Sequence, residues 1–287
     1  MTSLADRINR EIEGGLSDLP SPSPVLVKLT ATLGREDVDV REIEDLIGRD
    51  PVLAGRVIQA ANAAAFAGYS ATNSIHNALL RLGVIRVRRL AMLLGLFNAL
   101  PAQRVPEAFW PHSVGTAVCS EVILRHVAAA PEGGDPDAVF LAALLHDLGL
   151  LVLASHYPSD YQRLCDASAR EARPIHEVED EVLGIDHAAI GARLAAQWLF
   201  PPSVCAAIGG HHRVATVAPE HRWNTLVVHL ADALHYRCYG AETDERLTVR
   251  PDVAALTELG IEPRALATLI AEAQLEAQRA GEVLRAS

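Results

Sequence analysis

Apolar positions along this chain recur every three or four residues, which is the period of a helix with one buried face. A clear series follows Asp50 and Pro51, which have the character of an N-cap and a first-turn proline. Its members are Leu53, Val57, Ala60, Ala61 and Ala64. Further helices are predicted to begin near Pro24, after Asp39 and after Ser74, and Gly83 separates the last of these from a helix over residues 84–100.

Alternating strand patterns are nearly absent. The one short candidate, residues 247–250, is ended by Pro251. Half of the residues are apolar but only 5% are aromatic, so the core must be built from Ala, Leu, Val and Ile. That composition is typical of packed helices, and we expect an all-α protein.

A polar, proline-bounded stretch over residues 101–106 is the weakest junction in the chain. It predicts an N-terminal helical subdomain over residues 1–103 and a second helical domain over residues 104–287. A loop is expected at residues 130–136. The amphipathic pattern of residues 263–285 predicts a C-terminal helix that packs on the bundle or, alternatively, offers a face to a partner or a second copy.

The formal net charge of −11 disfavours broad contact with a nucleic-acid backbone. Arg86, Arg88 and Arg89 form a basic cluster, which in so acidic a chain is typical of a solvated or salt-bridged face. Four widely spaced cysteines without a C-x-x-C pair favour reduced thiols and a cytoplasmic protein. The polar first 13 residues predict no signal peptide, and no apolar stretch is expected to span a membrane.

The strongest chemical signal is His146-Asp147 inside the apolar run of residues 142–150. Burying an imidazole beside a carboxylate is costly unless a partner compensates, and a bound cation would compensate both groups. Neighbouring residues of a helix point about 100° apart, so this pair could face one metal ion only from a shared edge. Further donors would have to close the site, and the candidates lie on other predicted helices: His112, His187, His211, His212 and Asp232.

The order of these seven residues resembles that of the HD superfamily of metal-dependent phosphohydrolases. Other segments resemble HDOD domains, the HD-related output domains: residues 19–27, 47–54, 60–66, 74–83, 110–113, 144–149, 186–191, 198–201 and 229–232. The resemblance implies an N-terminal helical bundle packed on an HD-like helical core. It also implies a bacterial signal-transduction module that acts as a regulatory output through protein interaction.

Resemblance to the two-metal members implies a ligand assignment. His112, His146, Asp147 and Asp232 would hold one divalent ion, and Asp147 would bridge to a second ion held by His187, His211 and His212. The ions would be iron, manganese or similar, one or two in number. A degenerate site with hydrogen-bonded ligands is the alternative. His229 could orient Asp232, and the other histidines are expected to be surface or core residues: His76, His126, His156, His176, His221 and His235.

The chain departs from the related HD-GYP cyclic di-GMP phosphodiesterases at three points. Leu150 stands where those enzymes commonly have a lysine, Ala108 replaces an acidic ligand, and no Gly-Tyr-Pro follows His212. Arg213 is a candidate phosphate contact that could substitute for the lysine. Two functions therefore stay open: a non-catalytic signalling module with signalling-protein partners, a homodimer among them, or a metal-dependent hydrolase of a cyclic dinucleotide or nucleotide.

Overall fold

The computed structural model describes residues 4–14, 22–33, 35, 38–62, 72–99, 108–127, 129–132, 134–239 and 253–286. Every regular element in these ranges is a helix, which confirms the all-α prediction. The first six helices are α1 Leu4–Glu13, α2 Pro24–Thr30, α3 Val40–Gly48, α4 Pro51–Ala61, α5 Ile75–Leu82 and α6 Val84–Ala99. The junction over residues 101–106, and with it the boundary at residue 103, lies outside the described residues, as does the strand candidate at 247–250.

Ten more α-helices follow: α7 Phe109–His126, α8 Pro136–Leu145, α9 Leu148–His156, α10 Pro158–Glu171, α11 Ile175–Leu183, α12 His187–Gln197, α13 Pro202–Gly210, α14 Pro219–Tyr239, α15 Val253–Glu258 and α16 Leu266–Ala286. Short 3₁₀ turns precede α14 and α16, at Val214–Thr216 and Pro263–Ala265. The expected loop between α7 and α8 is confirmed by the described residues there.

Helices α2 to α6 form an N-terminal bundle in which α6 contacts each of the other four. Local signals in the sequence determine where these helices begin. Asp50 Oδ1 accepts hydrogen bonds from the backbone N–H groups of Val52 and Leu53, both at 3.0 Å. Ser74 caps α5 in the same way, and Gly83, at a φ of +83°, ends it.

The C-terminal part of the chain is built around two helices. Helix α7 packs on α8 and α14, and helix α12 packs on α9 and α13. Their buried faces consist mainly of Ala, Leu, Val and Ile, as the composition predicts. The C-terminal helix α16 packs on α7 and α14, which confirms that it covers the bundle. One segment, residues 136–156, has the length and apolar composition of a membrane span, but 83% of an 18-residue apolar stretch within it is buried inside the protein as part of α8 and α9.

A buried ion-pair network joins the two halves. Arg88 on α6 is only 5% exposed, pairs with Asp137 on α8, and donates to the carbonyl oxygen of Thr32 at 3.1 Å. Arg89 pairs with Asp137 at 2.7 Å and with Glu121 on α7 at 2.5 Å. The basic cluster of the sequence is thus salt-bridged, with two of its three arginines turned toward the protein interior.

Candidate metal centre

The helix breaks at His146 and Asp147. Helix α8 ends at Leu145 and α9 begins at Leu148, and Asp147 has a φ of −92° and a ψ of 15°. The expectation that the pair lies within one continuous helix is therefore wrong. The break lets both side chains point to the same place, so that His146 Nε2 lies 3.4 Å from Asp147 Oδ2.

One group of donors gathers on the Oδ2 side of Asp147. His112, from the first turns of α7, places its Nε2 atom 3.0 Å from His146 Nε2 and 3.2 Å from Asp147 Oδ2. Asp232 on α14 places Oδ1 3.3 Å from His112 Nε2 and 3.6 Å from His146 Nε2. Four donors from three parts of the chain therefore face one small volume, which we call the first half of the centre.

A second group gathers on the Oδ1 side of the same carboxylate. His187, the first residue of α12, places Nε2 3.3 Å from Asp147 Oδ1 and 2.9 Å from His212 Nε2. His211 directly follows α13, and its Nε2 atom lies 4.0 Å from Asp147 Oδ1. We call His187, His211 and His212 the second half of the centre. All seven residues singled out in the sequence thus lie in one cluster, with Asp147 between its halves.

The outer nitrogens of three of the imidazoles are anchored. Nδ1 of His146 donates to the carbonyl oxygen of Ala143 at 2.8 Å, and Nδ1 of His211 donates to that of Ile208 at 2.6 Å. Nδ1 of His187 lies 2.6 Å from Glu179 Oε2. In the neutral ring, a proton held on Nδ1 leaves the lone pair of Nε2 directed into the cluster, which is the tautomer that binds a metal ion.

The cluster is buried, and its charges perturb one another. Burial by itself would raise the pKa of Asp147, but His146, His112 and His187 hold that pKa well below its usual range. Burial would also lower the pKa of His146, yet the charge of Asp147 raises it to about 10. Burial lowers the pKa of His211 to about 3, with His146 and His187 adding to the effect. The carboxylate is therefore ionised and His211 neutral, which is the ligand form of each, whereas His146 is protonated at neutral pH and would release a proton on binding a metal ion.

Three contacting residues were not predicted from the sequence. Glu179 is fully buried against His187, His176 stacks on His212 with ring centroids 4.0 Å apart, and His235 Nδ1 lies 3.0 Å from His112 Nδ1. The sequence predicts only ordinary surface or core positions for His176 and His235. The one sequence feature related to the contact between His112 and His235 is Gly115. A β-carbon at this position would lie 2.1 Å from the His235 ring, so only glycine leaves room for that ring.

The structure gives His229 and Arg213 other partners than the sequence predicts. Nδ1 of His229 donates to the carbonyl oxygen of His211 at 2.7 Å, so His229 orients His211, and the idea that it orients Asp232 is wrong. The guanidinium of Arg213 pairs with Asp180, and its Nη2 atom lies 3.2 Å from Asp186 Oδ2. The candidate phosphate contact is thus already held by two carboxylates.

The chain is an all-helical protein whose core encloses a cluster of histidines and aspartates. The chain belongs to the HDOD domain family, whose model matches residues 19–214, more than half of its length. This confirms the family that the sequence motifs indicated.

Two solved structures share this fold, and one curated protein is similar in sequence. A candidate phosphohydrolase of Shewanella amazonensis SB2B superposes with a TM-score of 0.71 at 23% identity, over 98% of both chains. A candidate signal transduction protein of Marinobacter aquaeolei VT8 gives 0.75 at 24% identity, over 99% of this chain and 62% of that one. An uncharacterized protein of Treponema pallidum (strain Nichols) is 25% identical over 77% of this chain, which spans 41% of that protein's length.

Proposed function

We propose that this protein is a regulatory output module of bacterial signal transduction that acts through protein partners and holds a divalent metal centre without hydrolysing phosphate esters. One observation carries the proposal: the seven candidate metal donors lie together in one cluster, whereas the candidate phosphate contact, Arg213, is paired with two carboxylates. The family match and the likeness to a candidate signal transduction protein support the signalling role.

The residues of the centre fit a metal ion. Three overlapping groups of donors, each with its atoms within 4.8 Å of one another, run through the cluster. Among the described residues, His211 Nε2 and Asp232 Oδ1 are buried without a well-aligned hydrogen bond, although Asp232 Oδ1 lies within ion-pair distance of His112 and His146. Buried polar atoms are normally satisfied, so two such atoms aimed into one cluster of donors suit a cation.

The donor set favours particular metals. Imidazole suits zinc, copper, iron and nickel, while carboxylates suit magnesium, calcium and manganese, so the mixed set fits iron or manganese. His112, His146, Asp147 and Asp232 would hold one ion, and His187, His211, His212 and the second oxygen of Asp147 would hold another. Ions bound here would supply Lewis-acid polarisation of a water molecule or a phosphoryl oxygen.

The missing phosphate contacts favour a non-catalytic role. Transfer of a phosphoryl group requires positive charge around its oxygens, from cationic side chains as well as from metal ions. Leu150, in the first turn of α9 after Asp147, is apolar, and Arg213 is engaged by Asp180 and Asp186. We infer that a cyclic dinucleotide or nucleotide would serve as a conformational input, if it binds, and would not be turned over.

The partners would be signalling proteins, a second copy of this chain among them, in the cytoplasm. Nucleic acid is disfavoured by the net charge of −11 and by the engagement of Arg88 and Arg89 in internal ion pairs. The test is a deletion strain complemented with variants. Asp147→Asn should retain the regulatory phenotype if partner binding alone carries the signal, and should lose it if bound metal is required as an input. A phenotype that tracks phosphodiesterase turnover would contradict the proposal.

A second candidate is a metal-dependent phosphohydrolase. The observation that favours it is the position of Asp147, whose two oxygens face the two halves of the centre as a bridging ligand would. The assay is a panel of cyclic di-GMP, linear dinucleotides and nucleotides with protein supplied with manganese or iron. If the unmodified protein hydrolyses one of these substrates and Asp147→Asn abolishes the hydrolysis, the phosphohydrolase function replaces the first proposal.

A further inference from the structure

Helix α11 carries none of the seven donors, yet two of its side chains contact two of them. Glu179 Oε2 accepts hydrogen bonds from His187 twice, from the backbone N–H at 2.8 Å and from Nδ1 at 2.6 Å. The ring of His176 lies flat on that of His212, with an interplanar angle of 13°. His176 and Glu179 are three residues apart, so they lie on the same face of the helix.

An ion pair extends this contact to the backbone around the donors. Arg213, which follows His212, pairs with Asp180 of α11 and with Asp186. Asp186 is also the N-cap of α12, since its Oδ1 atom accepts from the backbone N–H of Ala189 at 2.8 Å. The start of the helix that carries His187 and the loop that carries His212 are therefore tied to α11 and to each other.

The first half of the centre is supported differently. His146 is anchored by the carbonyl of Ala143 in the last turn of α8, and His112 faces His235 on α14. In the described part of the chain, no hydrogen bond, ion pair or ring contact joins α11 to His112, His146 or Asp232. The two halves share Asp147 but have separate supporting residues.

We propose that α11 is a clamp that sets the metal affinity of the second half of the centre independently of the first, with Glu179 and His176 as its positioning residues. A carboxylate behind a ligating imidazole fixes its orientation and increases its strength as a donor. Among the described residues, the other oxygen of Glu179 is buried without a hydrogen-bond partner, so the side-chain hydrogen bonds of this carboxylate go to His187 alone. This inference rests on the proposed metal centre. It implies that any change that moves α11 releases one ion and retains the other.

The test is a manganese titration of the metal-free full chain, followed by equilibrium dialysis and by electron paramagnetic resonance. Wild-type protein should bind two ions with the spectrum of a spin-coupled pair. Glu179→Gln keeps an acceptor oxygen but removes the charge. We expect it to lower the binding affinity for one of the two ions by about 10- to 100-fold and to leave the affinity for the other unchanged. At intermediate manganese it should show the spectrum of isolated ions.

The matched control is Glu177→Gln, which changes an exposed glutamate of the same helix and should titrate as the wild type does. Thermal melts of the metal-free proteins exclude a folding defect. If Glu179→Gln does not fold, His176→Ala, at a half-buried position, should show the same selective loss at a smaller magnitude.

The outcomes separate the two proposals. Equal weakening of both ions, or none, in a folded Glu179→Gln protein would overturn the clamp and leave the metal centre standing. Wild-type protein that binds no manganese would overturn the centre and the clamp together.

Discussion

A β-carbon at Gly149 would lie 2.0 Å from the carbonyl oxygen of His187. Helix α9 therefore lies directly against the start of α12, closer than any side chain would permit. Gly191 faces the same crossing, since a β-carbon there would lie 3.1 Å from the backbone nitrogen of Gly149. This contact places His187 beside Asp147, so a glycine outside the donor set determines the geometry of the centre.

Gly149→Ala should therefore destabilise the protein by about 1–3 kcal/mol, the usual cost of overpacking, and should reduce metal binding because His187 must move. Gly55→Ala is the matched control. Gly55 is exposed in the middle of α4 with nothing within 4 Å of an added β-carbon, so its replacement should stabilise the protein by about 0.5–1 kcal/mol. Urea denaturation measures both values. Equal effects of the two substitutions would show that the crossing is not tight.

Breaking the ion-pair network between α6 and α8 should cost more than breaking an exposed ion pair. Arg88→Met leaves Asp137 buried with Arg89 as its remaining partner, and we expect a loss of stability approaching the roughly 3–5 kcal/mol typical of a broken buried pair. Arg163→Met removes an exposed pair with Asp160 and should cost less than about 1 kcal/mol. Denaturant midpoints that fall equally in both variants would contradict the role assigned to Arg88.

Leu150→Lys tests whether a missing cation is what prevents turnover. Lysine at this position would bring positive charge within one helical turn of Asp147, so manganese-supplied variant protein should gain hydrolysis of cyclic di-GMP over the wild type. Leu275→Lys adds the same charge at an exposed position of α16 and should leave turnover at the wild-type level. Activity of the unmodified protein equal to that of Leu150→Lys would count against the non-catalytic proposal.

Much of the fold could be predicted because its signals are local. Asp50, Ser74 and Gly83 act on backbone groups within a few residues, and each has the predicted role in the structure. The break at Asp147 could not be predicted from periodicity, because the residues on both sides are apolar and buried as in one continuous helix. The close contact of Gly149 with His187, which accompanies the break, depends on a helix nearly forty residues away in the chain.

The seven clustered residues were found because their types and order form a pattern along the sequence. Glu179 and His235 form no such pattern, since each matters only through its distance from one imidazole. His229 was assigned to Asp232 from their spacing on one helix face, whereas a carbonyl from the adjoining loop is its partner. Contacts between elements decide which groups support the donors, and the sequence does not specify those contacts.

The most direct test of this account is the manganese content of the purified full chain, wild type against Asp147→Asn, after metal supply and dialysis. Asparagine keeps the size of the side chain but removes the charge that both halves of the centre share, and a thermal melt checks that the variant is folded. We predict two ions per wild-type chain and a content near zero in the variant. Equal metal in both proteins, or none in either, would contradict the metal centre.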